Sequence, residues 1–180
     1  RKKTTKTSWG TRDTMKKTKQ GGLDPTSPTT KLNLWACTIG GGILGYAQFP
    51  GGSSATDGVV IDSKYFGLSG TASYPYNLGR TATHEVGHWL GLLHIWGDGG
   101  SRDSNTKDCN ASDFCDDTPI AGWENYDCLT TYDSCPTDLG NDMTENYMDY
   151  TNDECMNIFT QNQKDRITVI MNNAARRSSL

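Results

Sequence analysis

His84-Glu85-Val86-Gly87-His88-Trp89-Leu90-Gly91-Leu92-Leu93-His94 is the stretch on which the reading of this chain turns. Val86, Trp89, Leu90 and Leu93 recur at helical spacing, so a helix is expected from about Leu78. Side chains at i and i+4 leave a helix on one face, which lets the imidazoles of His84 and His88 bind the same ion. Glu85 projects beside them, placed to take a proton from a water that a zinc ion polarises. No straight helix can aim a residue ten positions after the first ligand back at that metal. Gly91 supplies the necessary turn, because glycine enters the left-handed region at little cost. These are the only three histidines in the chain, and all occupy ligand positions. The expectation is a zinc site of His84, His88 and His94, with Glu85 as general base and later proton donor.

Outward from this helix, a chain of 180 residues suits one domain with a sizeable core. Upstream, Leu32–Thr38, Ile43–Phe49 and Val59–Ile61 have strand composition and are bounded by glycine clusters. Residues 1–31 are polar, with Trp9, Met15 and Leu23 as their substantial apolar anchors, and cannot build a core alone. Beyond Gly97 lies an irregular stretch of about sixty residues, a length that a compact domain tolerates when cross-links or metals hold it. A last helix is signalled by the capping box Thr160-Gln-Asn-Gln163 and by Ile167, Ile170 and Met171 on one face. The expected organisation is a single α/β catalytic domain over 1–180, with the sheet and zinc helix in residues 1–96 and the loop-rich part in residues 97–180.

Charge is unevenly spread. Residues 1–20 hold eight Lys/Arg against one Asp, whereas residues 98–154 hold fifteen Asp/Glu against Arg102 and Lys107. So acidic a stretch argues against nucleic acid as a partner, since that affinity comes from neutralised phosphates, and favours cations or cationic substrates. No run approaches the roughly 20 apolar residues of a membrane-spanning helix. Six cysteines without a CxxC pair, five of them in the loop-rich part, point to disulfides and a secreted protein.

The extended motif HEVGHWLGLLH resembles that of the metzincin metallopeptidases, whose second hallmark is a methionine turn beneath the metal. Glu145-Asn-Tyr-Met148-Asp-Tyr150 is the matching segment. The resemblance implies a metzincin-type zincin fold: a twisted mixed sheet with the active-site helix, above a loop-rich, disulfide-bearing lower part. It makes Met148 the apolar floor and Tyr150 a hydrogen-bond donor to the tetrahedral intermediate. LNLWACTIGGGILGYAQFPGG, DGVVID, HEVGHWLGLLHIWGD, DDTP and NYMDYTNDECMN are similar to blocks of the pappalysin family, from about Trp9 to the final helix. That likeness implies a secreted endopeptidase, often made as a zymogen, acting on proteins and peptides. Ile43–Phe49 would be the edge strand pairing with an extended substrate. Asp153 would line the pocket after the scissile bond and select arginine or lysine there. The resemblance also implies calcium held by Asp113, Asp116, Thr118 and Glu124, and the disulfides Cys109–Cys135 and Cys128–Cys155; it leaves Cys37 and Cys115 unassigned.

Two alternatives carry less weight. Another metzincin family is the nearer one. A binding module keeping zinc only for structure is disfavoured, because structural zinc sites are closed by a fourth protein ligand and the motif offers none. Relatives of the metzincin type place further strands and a long backing helix before the strand at Leu32. The expectation is therefore a separate upstream fragment that stays docked after a nick, by autolysis, before Arg1.

Overall fold

Each of the three glycine-bounded apolar runs becomes a strand, and a fourth strand joins them from the polar N-terminal segment. The computed structural model describes residues 2–180. The elements are β1 (Ser8–Trp9), β2 (Leu34–Ile39), β3 (Gly45–Ala47), β4 (Val59–Asp62), α1 (Arg80–Trp89) and α2 (Gln161–Asn173), with short 3-10 turns between. The sheet runs β1-β2-β4-β3. β1 pairs with β2 and β2 with β4 in parallel, while β3 lies antiparallel to β4 as an edge strand. β2 starts at Leu34; just before it the Asn33 carbonyl still accepts from Val59 N (2.9 Å), while its side chain exchanges hydrogen bonds with the backbone of Thr26 (2.7 and 3.2 Å).

The chain separates into two units, Arg1–Leu90 with Val169–Leu180, and Gly91–Thr168. In the first, β4 is buried on both faces. Val59 and Ile61 pack on one side with Trp89, Ala82, Val86 and Leu90 of the α1 segment, and Val60 packs on the other with Trp9, Met15 and Ile39. The polar N-terminal segment thus contributes to a core that it could not form by itself. It also buries Lys16 at 1 % exposure, its Nζ bonded to the Thr56 carbonyl (2.7 Å) and to Asp13 (3.0 Å) beneath the rings of Trp35 and Tyr46. Burial lowers the pKa of Lys16 from its ordinary value.

A clasp secures the end of α1. Arg177 donates to both oxygens of Asp57 (2.7 and 2.9 Å) and to the Trp89 carbonyl (2.9 Å), and its guanidinium lies 3.6 Å from the Trp89 ring centroid. Trp89 Nε1 donates to the same carboxylate at 3.1 Å.

The second unit has no strand beyond two isolated bridges, Ser101 with Thr106 and Asn146 with Ile158. Disulfides Cys109–Cys135 and Cys128–Cys155 are both formed. Its apolar core is Leu92, Ile95, Trp96, Ala121 and Met148, against which Met143, Phe159 and Ile167 pack. The capping box at the start of α2 is reciprocal: Gln163 N donates to Thr160 Oγ1 (3.2 Å) and Thr160 N to Gln163 Oε1 (3.0 Å). Cys37 and Cys115 remain thiols, pushed by burial up to about 11 and about 12, which suits packing rather than nucleophilic chemistry.

Candidate active site

Helix α1 sets Nε2 of His84 3.0 Å from Nε2 of His88. Its last turn closes through Leu90 N, which donates to the carbonyls of Val86 and Gly87, and Gly91 follows at φ 91°, the left-handed turn that the spacing demands. Within the eleven-residue motif, one donor nitrogen from each of His84, His88 and His94 lies within 4.8 Å of the others. Nitrogens about 2.1 Å from a tetrahedral zinc ion sit roughly 3.4 Å apart, a spacing close to the 3.0 Å between His84 and His88 on their helix.

Glu85 is 6 % exposed, and its Oε2 is buried without a hydrogen-bond partner among the described residues. Burial pushes its carboxyl up to about 8, the condition of a carboxylate that readily accepts a proton near neutrality. Strand β3 makes room for it. A Cβ on Gly45 would fall 3.0 Å from Glu85 Cγ and Oε1 and 2.9 Å from the Val60 carbonyl, so any side chain at 45 would displace the glutamate. Two residues beyond β3, the Phe49 ring lies 5.2 Å from that of His88.

In the second unit, His94 stacks on Trp96 with ring centroids 4.2 Å apart, and Tyr150 meets it edge-on at 4.9 Å. Met148 is fully buried. Its carbonyl accepts from Ile95 N (3.3 Å), and its own N–H donates to Asn146 Oδ1 (2.9 Å). Asn146 in turn exchanges hydrogen bonds with Gln163 of the capping box (3.0 and 3.2 Å), which ties the methionine turn to the start of α2. Asp153 is 1 % exposed, a buried carboxylate rather than a solvated loop residue.

The four residues expected to hold calcium are not gathered alike. Thr118 donates to Asp113, both buried, while Asp116 is exposed. The carboxylate of Glu124 is engaged by the Arg102 amide (3.1 Å to each oxygen). Gly45 leaves room for Glu85, and Asp98 Oδ1 lies 2.5 Å from Nδ1 of His94, without any spacing rule to announce either. The Gly97-Asp98-Gly99 run marks a turn, but not whose partner Asp98 becomes.

A helix presenting H-E-x-x-H, a glycine turn to a third histidine and a buried methionine turn are together the arrangement that marks the metzincin type. The family model described as Pregnancy-associated plasma protein-A, peptidase family M43, matches residues 36–172, and the chain belongs to this pappalysin family. It is 45 % identical over 130 residues to an extracellular metalloprotease of Colletotrichum graminicola, covering 69 % of this chain and 44 % of that protein. An extracellular metalloprotease of Podospora anserina is 43 % identical over 142 residues, covering 76 % and 45 %. Among solved structures, mature mirolysin of Tannerella forsythia with a cleaved peptide superimposes with a TM-score of 0.88 at 41 % identity, covering 98 % of this chain and 66 % of that one. A promirolysin variant of the same organism gives 0.87 at 40 %, covering 98 % and 58 %. The chain spans about half the length of the curated relatives it matches. No helix among the described residues is long and apolar enough to cross a membrane.

Proposed function

We propose that this chain is the catalytic part of a secreted zinc-dependent endopeptidase that hydrolyses proteins and peptides on the N-terminal side of arginine or lysine. The observation that carries the reading is the buried Glu85, its Oε2 unpartnered, one residue after His84 on the helix that also carries His88. Extracellular metalloproteases among the relatives support the secreted location.

His84, His88 and His94 would hold zinc, which supplies Lewis-acid polarisation of the scissile carbonyl and of the attacking water. Glu85 takes the proton of that water on Oε2 and later delivers it to the leaving amine. Tyr150 stands edge-on to His94, where its hydroxyl can donate to the oxyanion of the tetrahedral intermediate. The free edge of β3 supplies backbone groups to an extended peptide by strand addition, which orients the bond to be cut without demanding a particular sequence. Preference then rests with Asp153, whose buried carboxylate pairs with a basic side chain more strongly than an exposed one could.

An upstream segment of the same protein is the proposed partner of the sheet's open side. A cavity of about 890 Å³, lined by Lys2, Lys6 and Trp9 of the N-terminal segment as well as by Leu34, Trp35 and Phe66, is its candidate seat, with Leu34 39 % and Phe66 40 % exposed.

Glu85→Ala is expected to abolish peptide hydrolysis while zinc stays bound, since glutamate handles the proton without ligating the metal. Undiminished hydrolysis by that variant overturns the reading. In a peptide-library digest, the wild type is expected to show Arg or Lys enriched after the cut bond. Asp153→Ala should lose that enrichment with a smaller loss of total turnover; a profile without basic enrichment removes Asp153 from the mechanism.

A further inference from the structure

His94 departs from the other two histidines of the motif in how it is held: it lies beyond the helix, where no regular backbone fixes its direction. Its ring is stacked on Trp96 with planes 4° from parallel, and its Nδ1 lies 2.5 Å from Oδ1 of Asp98. A carboxylate can only accept, so Nδ1 carries the hydrogen and Nε2 is the nitrogen left for a metal. The pair is four residues apart, yet no helix brings it together.

The backbone accomplishes this by two successive left-handed residues, Gly97 at φ 62° and Asp98 at φ 60°. Glycine enters that region freely, whereas a residue with a side chain meets a cost of about 1 kcal/mol, which aspartate bears better than most. The turn is also tight, since a Cβ on Gly97 would fall 2.5 Å from the amide nitrogen of Ser112. Asp98 is 54 % exposed in its side chain, so the strained turn is not explained by burial of that residue. Its product is a carboxylate behind an imidazole.

We propose that Asp98 is a positioning residue of the metal centre: it holds His94 in the Nδ1–H tautomer, aims Nε2 at the ion and strengthens it as a donor. This rests on His94 being a ligand. Outer carboxylates of this kind change metal affinity by about 10–100-fold when removed. Trp96 keeps the ring plane when the carboxylate is gone, so the loss should fall on affinity rather than on folding.

The test uses the whole protein and zinc itself. Asp98→Asn keeps the size, an acceptor oxygen and tolerance of the left-handed backbone, but removes the charge; Asp98→Gly removes the partner and relaxes the turn. Zinc dissociation constants from chelator competition, zinc release rates and the melting temperature of the metal-free protein are measured for both, with the visible spectrum after cobalt substitution. The expected result is about 10-fold weaker zinc binding for Asp98→Asn and approaching 100-fold for Asp98→Gly. Release should be faster, the cobalt spectrum altered and the metal-free melting temperature not lowered. Zinc affinity within twofold of wild type in both variants overturns the proposal. His94→Ala separates the two levels. If it removes zinc while the Asp98 variants hold it normally, only the role of Asp98 falls; if it too binds zinc as wild type, His94 is not a ligand and both readings fall.

Discussion

The two units solve one problem, what to do with the polar backbone, by opposite means. In the first, sheet and helix pair the amides among themselves: β2 and β4 share a four-residue register, and α1 packs over β4. Across Gly91–Thr168 there is almost no ladder, and carboxylates take its place. Asp113 accepts from Cys115 N, Asp133 from Cys135 N, Asp142 from Ser134 N, Glu124 from Arg102 N, and Asp149 from the amides of Asn125 and Tyr150. Part of the acidity of residues 98–154 is therefore internal scaffold: Asp113 and Asp133 close turns as Asx motifs, while Asp142, Glu124 and Asp149 join segments far apart in sequence.

The contrast is one of degree, since the ladder-built unit also uses carboxylates: Asp62 accepts from the amides of Ile39 and Lys64, and Asp57 holds the clasp. Arg177→Ala removes the main cationic partner of the buried Asp57 charge, leaving it the hydrogen bonds of Trp89 and Gln48 and Arg176 at 3.7 Å, and is expected to destabilise the protein by about 3–5 kcal/mol, the largest effect of the set. Urea unfolding followed by tryptophan fluorescence measures it; a loss below about 1 kcal/mol would mean that the ladder suffices without the clasp. The covalent tie of the other unit comes next. Replacing Cys109 and Cys135 by alanine opens a loop closed over a sequence separation of 26, and is expected to cost about 3 kcal/mol. A double variant as stable as wild type would show that the carboxylate scaffold holds without the staple.

The third effect sharpens the comparison through pH. Burial pushes Asp149 up to about 7, and the nearby charge of Asp142 adds to the rise despite the opposing hydrogen bonds from Asn125 and Tyr150. A carboxyl with a raised folded pKa binds its proton more tightly when folded, so its contribution is full below the unfolded value of 3.8 and is lost as pH climbs toward about 7. Wild type should therefore lose on the order of 2 kcal/mol from this group across that window, and Asp149→Asn should start lower but fall less. Equal slopes for the two proteins in melts at successive pH values would remove Asp149 from the account.

How far the fold could be read from the residues follows the same division. The helix of His84 and His88, the turn at Gly91, the three main strands and the Thr160/Gln163 box were legible because each is a local pattern whose physics acts within about ten residues. The Arg177–Asp57 pair was not, being 120 residues apart, and neither was the insertion of Trp9, Met15 and Lys16 beneath the sheet. A buried lysine looks like a surface lysine until the aromatic rings that cover it are known. Glu124 and Asp113 show the subtler difficulty. The resemblance implied a cation-binding role for both; the Arg102 amide on Glu124 and the Thr118 hydroxyl on Asp113 are further partners that no spacing announces.

The clasp on Trp89 also sets an order in time. Its arginine lies 88 residues after the tryptophan, and chains leave the ribosome N-terminus first at roughly 5–20 residues per second. The end of the metal-binding helix therefore waits about 4–18 s for its lock, and a long loop must close before the contact rewards it. During synthesis the motif is complete in residues but unsecured in space. The helix that carries His84 and His88 cannot close its clasp on a half-made molecule.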